Sequence, residues 1–207
     1  MPRDKTASHE KIVKAAMQEF RGKGFEQASM KAVADAVGMT SAALYRHFAS
    51  KQDMFAAMVQ PAVDELKAWE ERHIASSYDA LEQKQTEQMW DFEANMNDAR
   101  MVLDVMYQYP EQFFLLICRS AGTPYESFVH DLVEQATDRM MRFLQDCKAY
   151  GAAVREIGQD EMHMLVSAYC AALLQPIEHG YSKTDAERYL KTMVDFFSPG
   201  WRKLTGL

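Results

Sequence analysis

The 207-residue sequence has few of the residues that interrupt helices and few that cross-link a chain. It contains nine glycines, six prolines and three cysteines. Because these breakers are few and apolar residues recur at spacings of three and four, the pattern favours helices and gives no support to strands. The cysteines (Cys118, Cys147 and Cys170) form no CxxC motif and no even set of pairs. Such cysteines are typical of reduced thiols in a cytosolic protein.

Long hydrophobic runs and motifs of catalysis are also missing. The longest mostly apolar stretch, 164–174, is much shorter than a membrane span and includes Ser167 and Tyr169. The first residues lack the apolar core of a secretory signal. The sequence has no glycine-rich phosphate loop, no G-x-S-x-G and no HExxH. We therefore expect a cytoplasmic protein that is not an enzyme, uses no cofactor and does not enter a membrane.

The breakers that are present divide the chain into about nine helices of an all-α fold. Gly22 and Gly24 end the first helix, Pro61 would kink the fourth or reset its start, and Pro110 suits the first position of the sixth. The predicted ranges are 8–22, 29–37, 41–48, 51–74, 80–107, 110–120, 125–150, 159–180 and 184–198.

The net charge of −7 hides an asymmetry between the two ends of the chain. Residues 1–55 carry nine Lys or Arg and six Asp or Glu, so their net charge is +3, and the remaining residues carry −10. A basic segment is compatible with a nucleic-acid partner, although segments of this size vary in charge by this much without one. We expect an N-terminal three-helix head at 1–55 and a helical body at 56–207.

The segment from Ser29 to Phe48 has the pattern of a helix-turn-helix. Two helices meet at a tight angle only if the chain turns within about three residues. Gly38 can adopt the left-handed conformation that ends the first helix, and Thr40 is placed to cap the second. The inner face of the first helix is apolar and consists of Val33, Ala34 and Val37.

The second helix of this motif has two apolar anchors and is otherwise exposed. At about 100° per residue, Leu44 and Phe48 point together into the core. A helix presented in this way suits the major groove of DNA, which admits one α-helix. Lys51 begins the next helix, where its ammonium and the helix N-terminal amides can meet a phosphate.

Residues 10–58 resemble the TetR family of bacterial transcriptional regulators. The resemblance rests on Ile12-Val13-x-x-Ala16…Phe20-x-x-x-Gly24-Phe25, on Val33-Ala34-x-x-Val37-Gly38-Met39-Thr40, and on Leu44-Tyr45-x-His47-Phe48-x-Ser50-Lys51. It implies a homodimer on a palindromic operator in double-stranded DNA. It also implies a variable C-terminal body that binds a small-molecule effector.

The resemblance further implies that Ser41, Ala42 and Tyr45 face bases, and that Ser29, Ala43, Tyr45, His47 and Lys51 meet the DNA backbone. Ala42 and Ala43 have no hydrogen-bonding side chain, so specificity rests on Ser41, Tyr45 and Arg46 or on DNA shape. Surface packing is the alternative for Tyr45, and local capping or packing is the alternative for His47. The full predicted DNA-binding set is Ser29, Lys31, Thr40, Ser41, Ala42, Ala43, Tyr45, Arg46, His47 and Lys51.

The last two helices are apolar over much of their circumference, which requires them to be covered by a core and by a second surface. In the resembled family the last two helices of each subunit form a four-helix dimer interface. We therefore expect dimerisation through 159–201, with a wholly intramolecular core as the alternative. The predicted interface residues are Leu165, Val166, Tyr169, Leu173, Ile177, Leu190, Met193 and Phe197.

Apolar and aromatic residues in the central helices are candidates for the effector site. The fifteen methionines favour an adaptable cavity and a hydrophobic or aromatic ligand, although such stripes also suit a plain core. The predicted ligand-binding residues are Met89, Trp90, Glu93, Met96, Phe113, Phe114, Ile117 and Phe128.

The expected function is a ligand-responsive transcriptional repressor. One alternative is a helical metalloprotein, because Glu70-x-x-His73 and Asp160-x-x-His163 have the spacing of helical di-iron ligands. This pattern is weakened by the aspartate and by the abundance of acids, so we expect no metal. The other alternative is a dimeric helical scaffold whose head no longer binds DNA.

Overall fold

The computed structural model describes residues 5–83 and 92–206, and within these ranges it contains nine helices and no strand. The predicted all-α fold is confirmed. The helices are α1 Lys5–Gln27, α2 Met30–Ala36, α3 Ser41–Leu44, α4 Lys51–Glu82, α5 Phe92–Gln108, α6 Pro110–Cys118, α7 Phe128–Ala149, α8 Gln159–Glu178 and α9 Lys183–Thr205.

The described residues form two compact units. The first unit combines the residues up to Asp64 with the segment Tyr109–Phe128, and the second contains the rest. The helix-turn-helix segment therefore folds together with α6, which lies far along the chain. The predicted domain boundary after residue 55 stays a prediction.

Aromatic rings fill the core of the first unit. The Phe20 and Phe55 ring centroids lie 5.3 Å apart in an edge-to-face arrangement, and Phe25 lies 5.5 Å from Phe55. Such pairs contribute about 0.5–1.5 kcal/mol beyond the burial of their area. These contacts hold α1 against the first part of α4.

The second unit has its own core, which α7, α8 and α9 supply. Its buried cluster consists of Val133, Leu144, Met162, Val166, Cys170 and Trp201. A salt bridge of 2.9 Å joins Arg139 to Glu70, and both side chains are largely buried. Burial raises the pKa of Cys147 and of Cys170 to about 11, so both thiols stay protonated and unreactive.

Several helix boundaries differ from the sequence-based prediction. The fourth helix runs through Pro61 without a new start and reaches Glu82, so the predicted reset is wrong. A proline inside a helix removes one hydrogen bond, and the packing of buried neighbours such as Ala62 and Val63 outweighs that loss. Within the described residues, no helix is both long enough and apolar enough to cross a bilayer.

Candidate nucleic-acid interface

Local capping fixes the turn between α2 and α3. Gly38 adopts a φ of 70°, the left-handed conformation that few other residues accept. The Thr40 hydroxyl accepts a hydrogen bond of 3.2 Å from the Ala43 N–H, and the Ser29 hydroxyl accepts one of 3.4 Å from the Ala32 N–H. The predicted left-handed conformation of Gly38 and the predicted cap by Thr40 are confirmed.

The two predicted apolar anchors of the segment 41–48 lie in the core. Leu44 is fully buried and Phe48 is 7% exposed. The imidazole of His9, from α1, stacks on the Phe48 ring at a centroid distance of 5.6 Å. Val33 and Ala34 of α2 are buried beside them. The motif is therefore held from the inner side, and its outer side is free of the core.

The second helix of the motif is shorter than the predicted range 41–48. The α-helix ends at Leu44, and residues 45–47 continue as turns. The Arg46 N–H donates to the Ala43 carbonyl at 3.3 Å and the His47 N–H donates to the Leu44 carbonyl at 2.9 Å. These bonds span three residues, the tighter winding common at helix ends.

None of the ten predicted DNA-contact side chains is buried. Seven are exposed: Ser29, Lys31, Thr40, Ala42, Tyr45, Arg46 and His47. Ser41, Ala43 and Lys51 are half-buried. Tyr45 is 49% exposed, so half of a large ring faces solvent beside the α3 surface. The hydrogen-bonding groups of this surface are the hydroxyls of Ser41 and Tyr45, the guanidinium of Arg46 and the imidazole of His47.

Lys51 has a role that the sequence did not reveal. Its ammonium donates to the carbonyls of Phe25, Glu26 and Ala28 at 2.7, 3.1 and 3.1 Å. An ammonium has three donors, so these bonds use all of them. Lys51 therefore stabilises the chain where α1 ends, and its predicted phosphate contact stays a prediction that requires one of these bonds to open.

The predicted ligand-binding residues divide between the two units. Met89 and Trp90 lie outside the described residues, as does the side chain of Glu93. Met96 is half-buried in the second unit. In the first unit Phe113 is 1% exposed, in the core, while Phe114, Ile117 and Phe128 are half-buried. The Phe114 ring lies under the guanidinium of Arg21 at 4.8 Å and that of Arg119 at 5.2 Å.

The predicted dimer interface stays a prediction, and its residues differ in how much surface they offer to a partner. Four of them are buried within the single chain: Val166, Ile177, Leu190 and Met193. Leu165 is 38% exposed, and Tyr169, Leu173 and Phe197 are half-buried. The largest exposed apolar side chains of the two helices are instead Phe196, at 77%, and Met164, at 71%.

Side chains of the two acid-x-x-His motifs are paired with other side chains of the protein. Glu70 is bonded to Arg139, His73 Nδ1 lies 3.6 Å from Asp98 Oδ1, and His163 Nδ1 lies 3.3 Å from Glu134 Oε1. Across 5–83 and 92–206, no three His, Cys, Asp or Glu side chains are grouped as metal ligands would be. The metalloprotein alternative is not favoured.

Comparisons with known proteins agree with this geometry. Residues 12–58 match the family model described as "Bacterial regulatory proteins, tetR family". The chain is 30% identical over 124 residues to the HTH-type transcriptional repressor KstR2 of Mycobacterium tuberculosis, which is 60% of this chain and 58% of that protein. It is 35% identical over 66 residues to the HTH-type transcriptional activator FasR of Mycolicibacterium smegmatis, which is 32% of this chain and 29% of that one.

These alignments span less than two thirds of either relative. Solved structures add the fold over nearly the whole chain. A TetR-like transcriptional regulator from a Rhodococcus species has a TM-score of 0.56 at 16% identity, covering 99% of this chain and 98% of that one. The TetR family regulator PfmR from Thermus thermophilus has a TM-score of 0.57 at 21% identity, covering 91% and 97%. Residues 12–58 are thus similar to the N-terminal segment of bacterial regulatory proteins of the tetR family, and the chain has the fold of these solved TetR-like regulators.

Proposed function

We propose that the protein is a transcriptional regulator that binds a palindromic operator in double-stranded DNA as a homodimer and releases it when a small effector binds. The observation that carries this proposal is the segment 41–48, made of α3 and the turns that follow it, which two buried anchors hold while its polar side chains face outward. This is the geometry by which a helix enters the major groove. The net charge of +3 on residues 1–55 is favourable for approach to phosphates.

The outward side chains of the segment 41–48 divide by the kind of contact they can make. Tyr45 and Arg46 can reach bases or phosphates, and Ser41 can hydrogen-bond to either. Ala42 and Ala43 can make only apolar contacts, for example with a thymine methyl. We therefore expect part of the sequence preference to come from DNA shape.

The homodimer is supported by the exposed apolar side chains of the last two helices. Met164 and Leu165 on α8 and Phe196 on α9 are large and apolar, yet they face solvent in the single chain. Apolar surface of this kind marks association when it is concentrated on one face. A palindromic operator requires two heads related by a two-fold axis, which a dimer of these helices supplies.

A small-molecule effector is supported by an unsatisfied donor inside the second unit. The indole N–H of Trp69 is buried and has no hydrogen-bond partner among the described residues. The imidazole of His73 lies parallel to the indole, at a centroid distance of 5.2 Å. A buried donor without an acceptor costs about 1–3 kcal/mol, so an oxygen of a bound molecule would relieve this cost. We propose a hydrophobic or aromatic effector that carries such an acceptor.

The route from the effector to DNA follows α4. This helix is uninterrupted from Lys51 to Glu82, and it contributes its first part to the first unit and its later part to the second. We propose that the bound effector displaces α4 and thereby changes the spacing of the two recognition helices. Two heads must match sites about 34 Å apart, so a small change in their spacing weakens binding.

The sign of regulation is proposed to be repression. The repressor KstR2 matches a larger share of this chain than the activator FasR does. Deleting the gene should then raise transcription of the genes it controls, and measurement of transcript levels in the deletion strain checks this. Lower transcript levels would identify an activator.

The proposed DNA binding is tested by a mobility-shift assay with the DNA upstream of the gene itself. The wild-type protein should shift this DNA, and Tyr45→Ala should abolish the shift while the dimer stays intact. Tyr150→Ala is the matched control, because Tyr150 is 56% exposed and lies in the second unit. A Tyr45→Ala dimer that still binds DNA, or a wild-type dimer that binds none, contradicts the proposal. The second result would favour the alternative of a dimeric helical scaffold whose head does not bind DNA.

A further inference from the structure

Helix α1 is broken near its end, and the break leaves two backbone groups without their usual partners. Gly24 adopts φ 75° and ψ 167°, far from helical values. In a regular helix the Phe25 N–H would donate to the carbonyl of Arg21, four residues earlier. At this break the two groups point to a third residue instead.

Arg119 satisfies both groups. The Phe25 N–H donates to the Arg119 carbonyl at 3.1 Å, and the Nε–H of Arg119 donates to the Arg21 carbonyl at 3.0 Å. Arg119 follows α6 directly, so a residue 98 positions away takes the place of one helical hydrogen bond of α1. Phe25 is buried, so its N–H needs such a partner, because an unpaired buried group loses its bonds to water without replacement. The hydrogen bond to the Arg21 carbonyl is exposed, so its role is to fix direction.

The guanidinium of Arg119 is fixed by further contacts. It lies over the ring of Phe114 at 5.2 Å, and its Nη1 donates to the carbonyl of Cys118 at 2.9 Å. Its aliphatic part lies beside Gly24, where a Cβ would meet the Arg119 Cδ at 3.6 Å. These contacts therefore hold the guanidinium in the orientation in which its Nε–H donates to the Arg21 carbonyl.

The break determines where the helix-turn-helix begins. After Gly24 the chain makes one turn, closed by the Ala28 N–H donating to the Gly24 carbonyl at 3.1 Å. Ser29 then caps α2. A change in direction at Gly24 would thus be carried within five residues to the start of α2, and from there to α3.

We propose that Arg119 is a positioning residue for DNA binding. By replacing the Arg21–Phe25 hydrogen bond, it fixes the direction in which the chain leaves α1 and enters the helix-turn-helix. This inference rests on the proposed function. Arg119 acts through α1 and makes no contact with DNA itself. Because Arg119 follows α6 directly, a displacement of the end of α6 would change the direction of the chain that enters the helix-turn-helix.

The test compares Arg119→Met and Arg119→Lys in the full-length protein. Methionine keeps much of the apolar contact with Phe114 and removes the donor, whereas lysine keeps a cationic donor. Arg142→Met is the matched control, because Arg142 is exposed in the second unit and its Nε also donates to a backbone carbonyl, that of Asp138 at 3.2 Å. Affinity for the gene's own upstream DNA is measured by fluorescence anisotropy over a series of salt concentrations, with thermal unfolding in parallel.

We expect Arg119→Met to weaken binding about three- to tenfold, as loss of the positioning hydrogen bond to Arg21 implies, with partial recovery in Arg119→Lys and no change in Arg142→Met. The salt dependence of log Kd should keep its slope, since a lost phosphate contact would lower that slope by about one. Equal affinities of Arg119→Met and Arg142→Met would overturn the inference, as would a reduced slope. The inference would also be overturned if, in both Arg119 variants, the loss of DNA affinity were fully explained by the fraction of protein that is unfolded. If the wild-type protein binds no DNA, the proposed function fails instead.

Discussion

Glu19 joins the end of α1 to the start of α2 through one carboxylate oxygen. This oxygen accepts hydrogen bonds from the Lys23 ammonium at 2.8 Å and from the Ser29 N–H at 3.1 Å. Burial by itself would raise the pKa of Glu19, but the Lys23 and Ser29 hydrogen bonds and the charge of Lys23 outweigh it and lower the pKa below its ordinary value of 4.5. The ionised carboxylate is therefore the form that stabilises the first unit.

The lowered pKa of Glu19 predicts a pH-dependent contribution to stability. A carboxyl group whose pKa is lower in the folded state stabilises that state above its unfolded pKa, and the contribution is lost as pH falls through the folded pKa. Glu19→Gln should thus unfold at a lower urea concentration than wild type at pH 7, and the difference should shrink below pH 4.5. Glu10→Gln, at an exposed position of the same helix, is the control. A difference that stays constant down to about pH 3 would contradict the ionic role of Glu19.

Single residues were predictable from the sequence where their role is local. Thr40 caps a helix through a residue three positions away, and Gly38 depends only on its own backbone conformation. The role of Lys51 depends on Ala28, 23 positions away, among others, and that of Arg119 depends on Arg21, 98 positions away. Neither periodicity nor a motif predicts contacts between residues so far apart along the chain, because only the fold brings these groups together.

At the scale of the element, α3 is too short to be stable alone. Its four residues are far below the length of about 12–15 residues at which isolated helices become marginal in water. Its stability comes from the Thr40 cap, the buried side chain of Leu44 and the turn at Gly38. The geometry of the recognition surface thus depends on the turn more than on helix propensity.

Two glycines allow the contribution of that turn to be isolated. An added Cβ meets no atom within 4 Å at Gly38 or at Gly22, but of these two only Gly38 has a positive φ. Gly38→Ala should destabilise the protein by about 1–2 kcal/mol through the left-handed conformation. Gly22→Ala, inside α1, should stabilise it by about 0.5–1 kcal/mol. Urea unfolding checks both values, and equal shifts in the two variants would show that the turn is not the source of the effect.

The existence and order of the helices were predictable, whereas some of their ends were not. Gly24 breaks α1 near its end and Pro110 starts α6, because the effect of each on the backbone is local and strong. Pro61 did not end α4, since tertiary packing overrides the loss of one hydrogen bond. The α-helix of α3 likewise ends at Leu44, ahead of its predicted end, and turns carry the chain on to the buried Phe48.

At the scale of the whole molecule, the question is which side of the last two helices meets a partner. The apolar stripe of α8 and α9 was predictable, but a helix that is apolar over most of its girth does not reveal which part faces its own core. Val166 and Leu190 turned out to lie inward, while Met164 and Phe196 lie outward. This distinction needs the positions of α5 and α7, which no pattern within α8 or α9 contains.

The outward side chains predict the effect of a single charge on the proposed dimer. In a two-fold symmetric interface each substitution occurs twice, so Phe196→Glu would place two carboxylates in an apolar contact. Burying them is costly, and the apolar area of two phenylalanines is lost as well. We expect the dimer dissociation constant to rise about a hundredfold or more, which analytical ultracentrifugation would show as a monomer at micromolar concentration.

The control for this prediction is Tyr150→Glu, which introduces the same charge at another exposed aromatic residue of the second unit, 56% exposed at the end of α7. It should leave the dimer intact, whereas Met164→Glu, on the proposed interface, should dissociate it as Phe196→Glu does. The monomeric variants should retain the unfolding midpoint of the first unit, because Phe196 and Met164 belong to the second. They should nevertheless lose most of their affinity for a palindromic site, since one head then binds a half-site without the second. A Phe196→Glu protein that remains dimeric would show that the dimer interface is not formed by α8 and α9. Another surface would then determine the spacing of the two heads.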